Sequence, residues 1–219
     1  MTLASVYLHG FASSPSSSKA RYLGDALQKH GAVVVPDLNL PSFTGLTVTR
    51  MGEATVRAVA QVPDPVMLVG SSMGGYVAAR HVANGGRAAA LVLLAPALDP
   101  AELWTKAVSD ADRETWERQG TWPVFHYAMG RENPLGYAFY QEVVTLPAYP
   151  DASRVPTLIL HGLGDKVVPP RISQTYQGRH PETRLELLDT DHQMADALPL
   201  VLERIERFVE EISCRKKAR

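Results

Sequence analysis

Short runs of β-branched or aliphatic residues recur along the chain, each followed by a longer stretch whose apolar residues return every three or four positions. The runs Ser5 to Leu8, Ala32 to Pro36, Val66 to Val69, Ala89 to Leu94, Thr157 to Leu160 and Arg184 to Leu188 predict six strands. The stretches Lys19 to His30, Met51 to Val62, Met73 to Asn84, Arg171 to Arg179 and Ala195 to Ile212 predict helices. Residues 90–94 read Ala-Leu-Val-Leu-Leu, with no polar position between them, as a strand buried on both faces does. Strand alternating with helix predicts an α/β fold: a mostly parallel sheet of about six strands with helices on both sides.

The alternation stops between about residues 99 and 154. No strand pattern is evident there, and Trp104, Trp116, Trp122, Phe125, Tyr127, Tyr137, Phe139, Tyr140 and Tyr149 crowd into the segment. The expectation is a short helical cap inserted into the sheet domain, its aromatics forming an apolar lid over a pocket. The competing reading is an ordinary helical excursion whose aromatics pack on the sheet. A run of serines and one proline at residues 13–18 sits in the first strand-to-helix loop, where serine most simply caps a helix.

With 219 residues, 45% hydrophobic and 21% charged, the chain reads as one domain with a sizeable core. A formal net charge of -1 gives no electrostatic reason to expect nucleic acid or an anionic membrane as partner. Cys214 is the single cysteine, so no internal disulfide forms, which suits a reducing compartment. Residues 1–9 lack a signal-like apolar stretch, and the longest apolar run, Ala88 to Leu98, is broken by Pro96 and too short to span a bilayer. A cytoplasmic protein acting on a small molecule is the expectation, with the basic residues 215–219 read as a solvated end that offsets the negative pole of the last helix.

The chemistry concentrates on one motif. Gly70-Ser71-Ser72-Met73-Gly74 matches G-x-S-x-G, directly after the apolar run 66–69 and directly before a helical pattern. Strand, motif and helix in that order form a nucleophile elbow, a turn so sharp that its flanking positions must be glycine. Ser72 is then the nucleophile. A serine hydroxyl needs an imidazole to take its proton and an acid to fix the imidazole tautomer, and both should follow on later strand ends. Asp165 stands at the tip of the loop after the run 157–160, and Asp99, after the preceding strand, is the rival acid. His192 lies between the last predicted strand and the last predicted helix, completing the order Ser, Asp, His. His9 and His161 also end strands, but each precedes a glycine and should turn into loop packing.

Two backbone N–H groups should hold the developing oxyanion. One is that of Met73 at the helix start; the other comes from the loop His9-Gly10-Phe11-Ala12, with Phe11 preferred and Ala12 possible. Phe11 could at the same time be wall packing. The histidines are scattered, there is no second cysteine and no separate phosphate loop, so neither metal nor cofactor is expected.

With these residues in hand, the sequence resembles the α/β-hydrolase superfamily over nearly its whole length, and within it the small YqiA-like esterases. The stretch Tyr7-Leu8-His9-Gly10-Phe11-Ala12-Ser13-Ser14-Pro15 with Ser18-Lys19-Ala20 carries the resemblance most specifically. Pro36-Asp37-Leu38, Gly70-Ser71-Ser72-Met73-Gly74-Gly75 and Ala95-Pro96-Ala97 agree with it. The resemblance implies hydrolysis of short-chain acyl esters and a sheet without the leading antiparallel strands of larger hydrolases. A thioesterase or lactonase differs only in leaving group; a lyase or acyltransferase would keep the triad and exclude or replace water; an interaction module would have no use for it.

Overall fold

In the computed structural model, which describes residues 2–217, six strands form one parallel sheet. In chain order the elements are β1 (Ala4–Leu8), α1 (Ser18–Leu27), β2 (Val33–Val34), α2 (Val48–Ala60), β3 (Val66–Ser71), α3 (Met73–Ala83) and β4 (Ala90–Leu94). After the inserted segment come β7 (Thr157–Gly162), α7 (Arg171–Arg179), β8 (Arg184–Leu188) and α8 (Leu198–Lys217). The insert itself holds α4 (Pro100–Ala107), α5 (Asp110–Gln119), β5 (Thr121–His126), β6 (Arg131–Gly136) and α6 (Tyr137–Val143).

The sheet order is β2-β1-β3-β4-β7-β8, every pairing parallel. Because side chains alternate along a strand, each strand feeds two cores. Val6, Leu8, Leu68, Leu91, Leu93 and Ile159 pack on the face covered by α2, α3 and α7. Tyr7, Met67, Val69, Val92, Leu158 and Leu160 pack on the other, against Leu23 and Leu27 of α1 and Val201, Ile205 and Phe208 of α8. Burial on both faces is why these strands read as unbroken apolar runs rather than as alternating ones.

Two helices begin where side-chain caps dictate. Thr47 accepts from the Arg50 amide and starts α2 ahead of the predicted Met51, and Ser17 accepts from the Ala20 amide at the start of α1. The predicted strand at 32–36 is paired only at Val33 and Val34, since it lies at the sheet edge and meets β1 alone. Helix α8 continues to Lys217; the basic end predicted to offset its pole lies outside the described residues, save the backbone as far as 217. No helix among the described residues is long and apolar enough to cross a membrane.

The insert departs from the all-helical expectation: β5 and β6 form an antiparallel ribbon between helices α5 and α6. Its pattern was hidden for two reasons. Pro123 and Pro134 face each other across the ladder, tolerable only because both strands are edges. The tip side, Arg131-Glu132-Asn133, buries no face and so shows no alternation. The aromatics of the insert divide into two groups. Trp116 and Phe139 are fully buried, with Trp116 Nε1 donating to the Leu135 carbonyl at 2.9 Å, whereas Trp104, Phe125 and Tyr127 line a cavity.

Candidate active site

The registers place the carboxyl ends of β1, β3, β4, β7 and β8 on one edge: Leu8 pairs with Gly70, Gly70 with Leu93, Leu94 with Leu160, and Gly162 with Leu188. The chain runs outward from β1 to β2 and then returns to β3 on the other side of β1. That reversal opens a crevice between the loops after β1 and β3, where open parallel sheets bind ligands. A cavity of about 760 Å³ occupies it, lined by Gly10, Phe11, Ser72, Met73, Trp104 and His192, among others.

Ser72 sits at the tip of the β3–α3 turn with φ 53 and ψ -118, a conformation that costs a non-glycine residue about 1–3 kcal/mol. Four backbone hydrogen bonds hold it there. Its N–H donates to the Leu94 carbonyl at 2.9 Å, and its own carbonyl accepts from Gly75, Tyr76 and Ala97. The flanking glycines are required by space rather than by dihedral angle. A Cβ on Gly70 would stand 2.5 Å from the Gly74 carbonyl oxygen, and one on Gly74 would stand 2.2 Å from that of Leu8. Gly74→Ala therefore pushes α3 off the end of β1, and because backbone cannot swing aside the loss should be about 3 kcal/mol. Urea denaturation measures it, and a midpoint equal to that of the unmodified protein would show that the clash is relieved.

Asp165 and His192 meet as the sequence predicts. The His192 Nδ1–H donates to Asp165 Oδ2 at 2.7 Å, and the second oxygen, Oδ1, accepts from the amides of Val167 and Val168, each at 2.8 Å. Asp165 is buried. Burial works to raise its carboxyl, but hydrogen bonds from His161 and His192 and from the Val168 amide outweigh it, and the group is held well below the usual carboxylate range. The rival, Asp99, is committed elsewhere: it is the N-cap of α4, accepting from the Glu102 amide at 3.1 Å. Ser72 and His192 face the same cavity, though no hydrogen bond joins the two among the described residues.

The two histidines expected to serve loop packing do more than fill space. His161 is fully buried behind Asp165, with Nε2 2.8 Å from the Val168 carbonyl and 3.2 Å from Asp165 Oδ2. Because a carbonyl only accepts, Nε2 carries the proton, and Nδ1 accepts from the Ser173 hydroxyl at 2.7 Å. His161 thus supplies a further donor to the Asp165 carboxylate, a contact invisible in sequence beyond its place four residues before Asp165. His9 accepts at Nε2 from the Leu38 amide at 3.0 Å and donates from Nδ1 to the Gly10 carbonyl at 2.9 Å, which fixes the loop after β1.

That loop presses on Ser72. A Cβ on Gly10 would meet the Ser72 Cβ at 3.3 Å, and the positive φ of 53 falls on Ala12, not on Gly10. The amides of Phe11 and Met73 belong to residues on the cavity wall, while the Phe11 ring packs against Phe43, Trp104 and Phe139 with centroids 5.1–5.6 Å apart. No cluster of three metal-ligating side chains occurs among the described residues.

Solved structures share this architecture. Est1E from Butyrivibrio proteoclasticus, in a complex with ferulic acid, aligns over 96% of this chain and 89% of its own, with TM-score 0.79 at 17% identity. The α/β hydrolase domain-containing protein 10 from mouse aligns over 95% and 90%, with TM-score 0.74 at 22% identity. One of the metagenome-derived lipolytic enzymes LipS and LipT aligns over 96% and 94%, with TM-score 0.71 at 20% identity. Likeness at such low identity establishes the α/β-hydrolase fold and stops there. No curated protein matches the chain in sequence. The model of the uncharacterised protein family UPF0227, however, matches residues 4–210, and the chain is therefore a member of that family, built on the α/β-hydrolase fold.

Proposed function

We propose that the protein is a serine hydrolase that cleaves short-chain carboxylic esters through an acyl-enzyme, with Ser72 as nucleophile, His192 as base and Asp165 as orienting acid. The observation that carries this reading is the 2.7 Å hydrogen bond to a buried Asp165 from Nδ1 of His192, which lines the cavity that Ser72 enters on a strained turn. With Nδ1–H committed to Asp165, Nε2 is the ring nitrogen left to take the Ser72 proton. Contacts between nucleophile and base are commonly long without substrate and tighten once it binds.

In this mechanism Ser72 Oγ attacks the ester carbonyl as its proton passes to His192 Nε2. The resulting oxyanion is held by the Phe11 and Met73 amides, each donor worth roughly a hundred- to a thousandfold in rate. His192 then gives the proton to the leaving alcohol. Water enters, loses its proton to the same nitrogen, and the acid is released from Ser72. Trp104, Phe125 and Tyr127 line the cavity and suit an acyl or alcohol portion of modest size without charge.

A fluorophosphonate probe tests the assignment, since it reacts only with a serine whose hydroxyl is activated. One adduct per chain, located on Ser72 by peptide mass and accompanied by loss of p-nitrophenyl butyrate turnover, is expected. Adduct on another serine, or none while the ester is still turned over, would refute the reading.

A further inference from the structure

Lys19, in the first turn of α1, is only 9% exposed, although the mechanism above leaves its ammonium unused. Its Nζ reaches across the floor of the cavity and donates to the Ser71 hydroxyl at 3.3 Å and to the His192 backbone carbonyl at 3.4 Å. Both partners are neutral, and Lys19 forms no ion pair among the described residues. The lysine thus joins three separate pieces of the site: the segment after β1, the residue before the nucleophile, and the residue proposed as base. The contacts span 52 and 173 positions of sequence.

We propose that Lys19 is a positioning residue for the hydrolysis proposed above, on which this inference rests: its ammonium bridges the elbow and the His192 loop and so holds the imidazole in reach of Ser72. A buried charge with only neutral partners is unfavourable for folding alone, and it is concentrated here where two catalytic loops must be kept in register. Hydrogen bonds from a charged donor are also about twice as strong as those from a neutral one, so the bridge depends on the proton. The charged and titratable groups facing it are Asp165 after β7, Asp191 and His192 after β8, and Tyr7 of β1, which is linked to it through Ser71. Burial lowers the Lys19 ammonium to about 8 against the partial support of Asp165 and Asp191, so mild alkali converts it to the amine.

The test measures kcat and KM for p-nitrophenyl butyrate from about pH 6 to about pH 10 in the parent protein, Lys19→Met and Lys19→Arg, with Ser72→Ala as blank. Lys19→Met should lower kcat at neutral pH by about 10- to 100-fold with KM nearly unchanged, because the bridge orders the catalytic groups rather than the substrate. The parent's kcat should fall above about pH 8. Relative to its own maximum, that fall should be missing in Lys19→Arg, whose guanidinium stays charged throughout. A role in packing alone would give no such dependence. Should Lys19→Met fail to fold, Ser71→Ala removes one end of the bridge and should lower kcat by about threefold to tenfold at constant KM. Parent-like kcat in Lys19→Met, or in Ser71→Ala where Lys19→Met does not fold, or an unchanged alkaline fall in Lys19→Arg overturns the inference while the hydrolase reading stands. Absence of any Ser72-dependent turnover in the parent sinks both.

Discussion

Replacing Ser72 by alanine is expected to lower turnover of a short-chain p-nitrophenyl ester by about a millionfold, as loss of a triad nucleophile does elsewhere. The size of the effect follows from the proposed mechanism, in which no acyl-enzyme forms without Oγ and the oxyanion donors and the cavity retain only the residual rate that water attack can use. The fold should tolerate the change, since Ser72 is held by its backbone, through Leu94, Gly75, Tyr76 and Ala97, and its side chain serves no cap. Burst and steady-state kinetics measured against a folded Ser72→Ala protein give the number. A loss of less than about a thousandfold would mean that another group performs the chemistry.

Asp165→Asn should cost about ten thousandfold in kcat, and the structure says why the swap cannot be absorbed. Oδ1 of Asp165 accepts from two backbone amides, of Val167 and Val168, so the asparagine carbonyl must take that place. Its NH2 then faces His192 Nδ1, where the carboxylate now accepts, and a donor there forces the imidazole proton onto Nε2. A ring protonated at Nε2 cannot accept from Ser72. Asp99→Asn should leave turnover near parent level, since Asp99 only caps α4. The reverse outcome for the two variants would reassign the acid.

Much of this site was legible because α/β folds put chemistry on strand ends. The apolar runs gave the strands, their order predicted Ser72, Asp165 and His192 on one edge, and the registers align the carboxyl ends of β3, β7 and β8, which those residues follow. The elbow glycines could be read from sequence since their need is local and steric. The residues that escaped are those whose partners are remote. Lys19 meets Ser71 and His192, and His161 contacts Val168 and Ser173, by tertiary packing that no periodicity records. The β5–β6 ribbon escaped for another reason: prolines and exposed charges occupy strand positions that an edge ribbon accepts and a propensity reading rejects.

The sequestered amine of Lys19 also sets how the molecule responds to alkali as a whole. Its folded-state titration near 8 lies below the 10.5 of the unfolded chain, so between these values the unfolded form binds more protons and unfolding becomes harder as pH rises. The gain amounts to about 3 kcal/mol by pH 10. Beyond that the phenols of Tyr7, Tyr76 and Tyr176, raised by burial, reverse the slope, because the unfolded chain ionises its tyrosines first. Thermal melts across this interval should climb and then fall, with Lys19→Met losing the climb; a melting temperature flat from pH 8 to 10 in the parent would contradict it. Robustness and turnover would then pull in opposite directions over the same two decades of proton concentration.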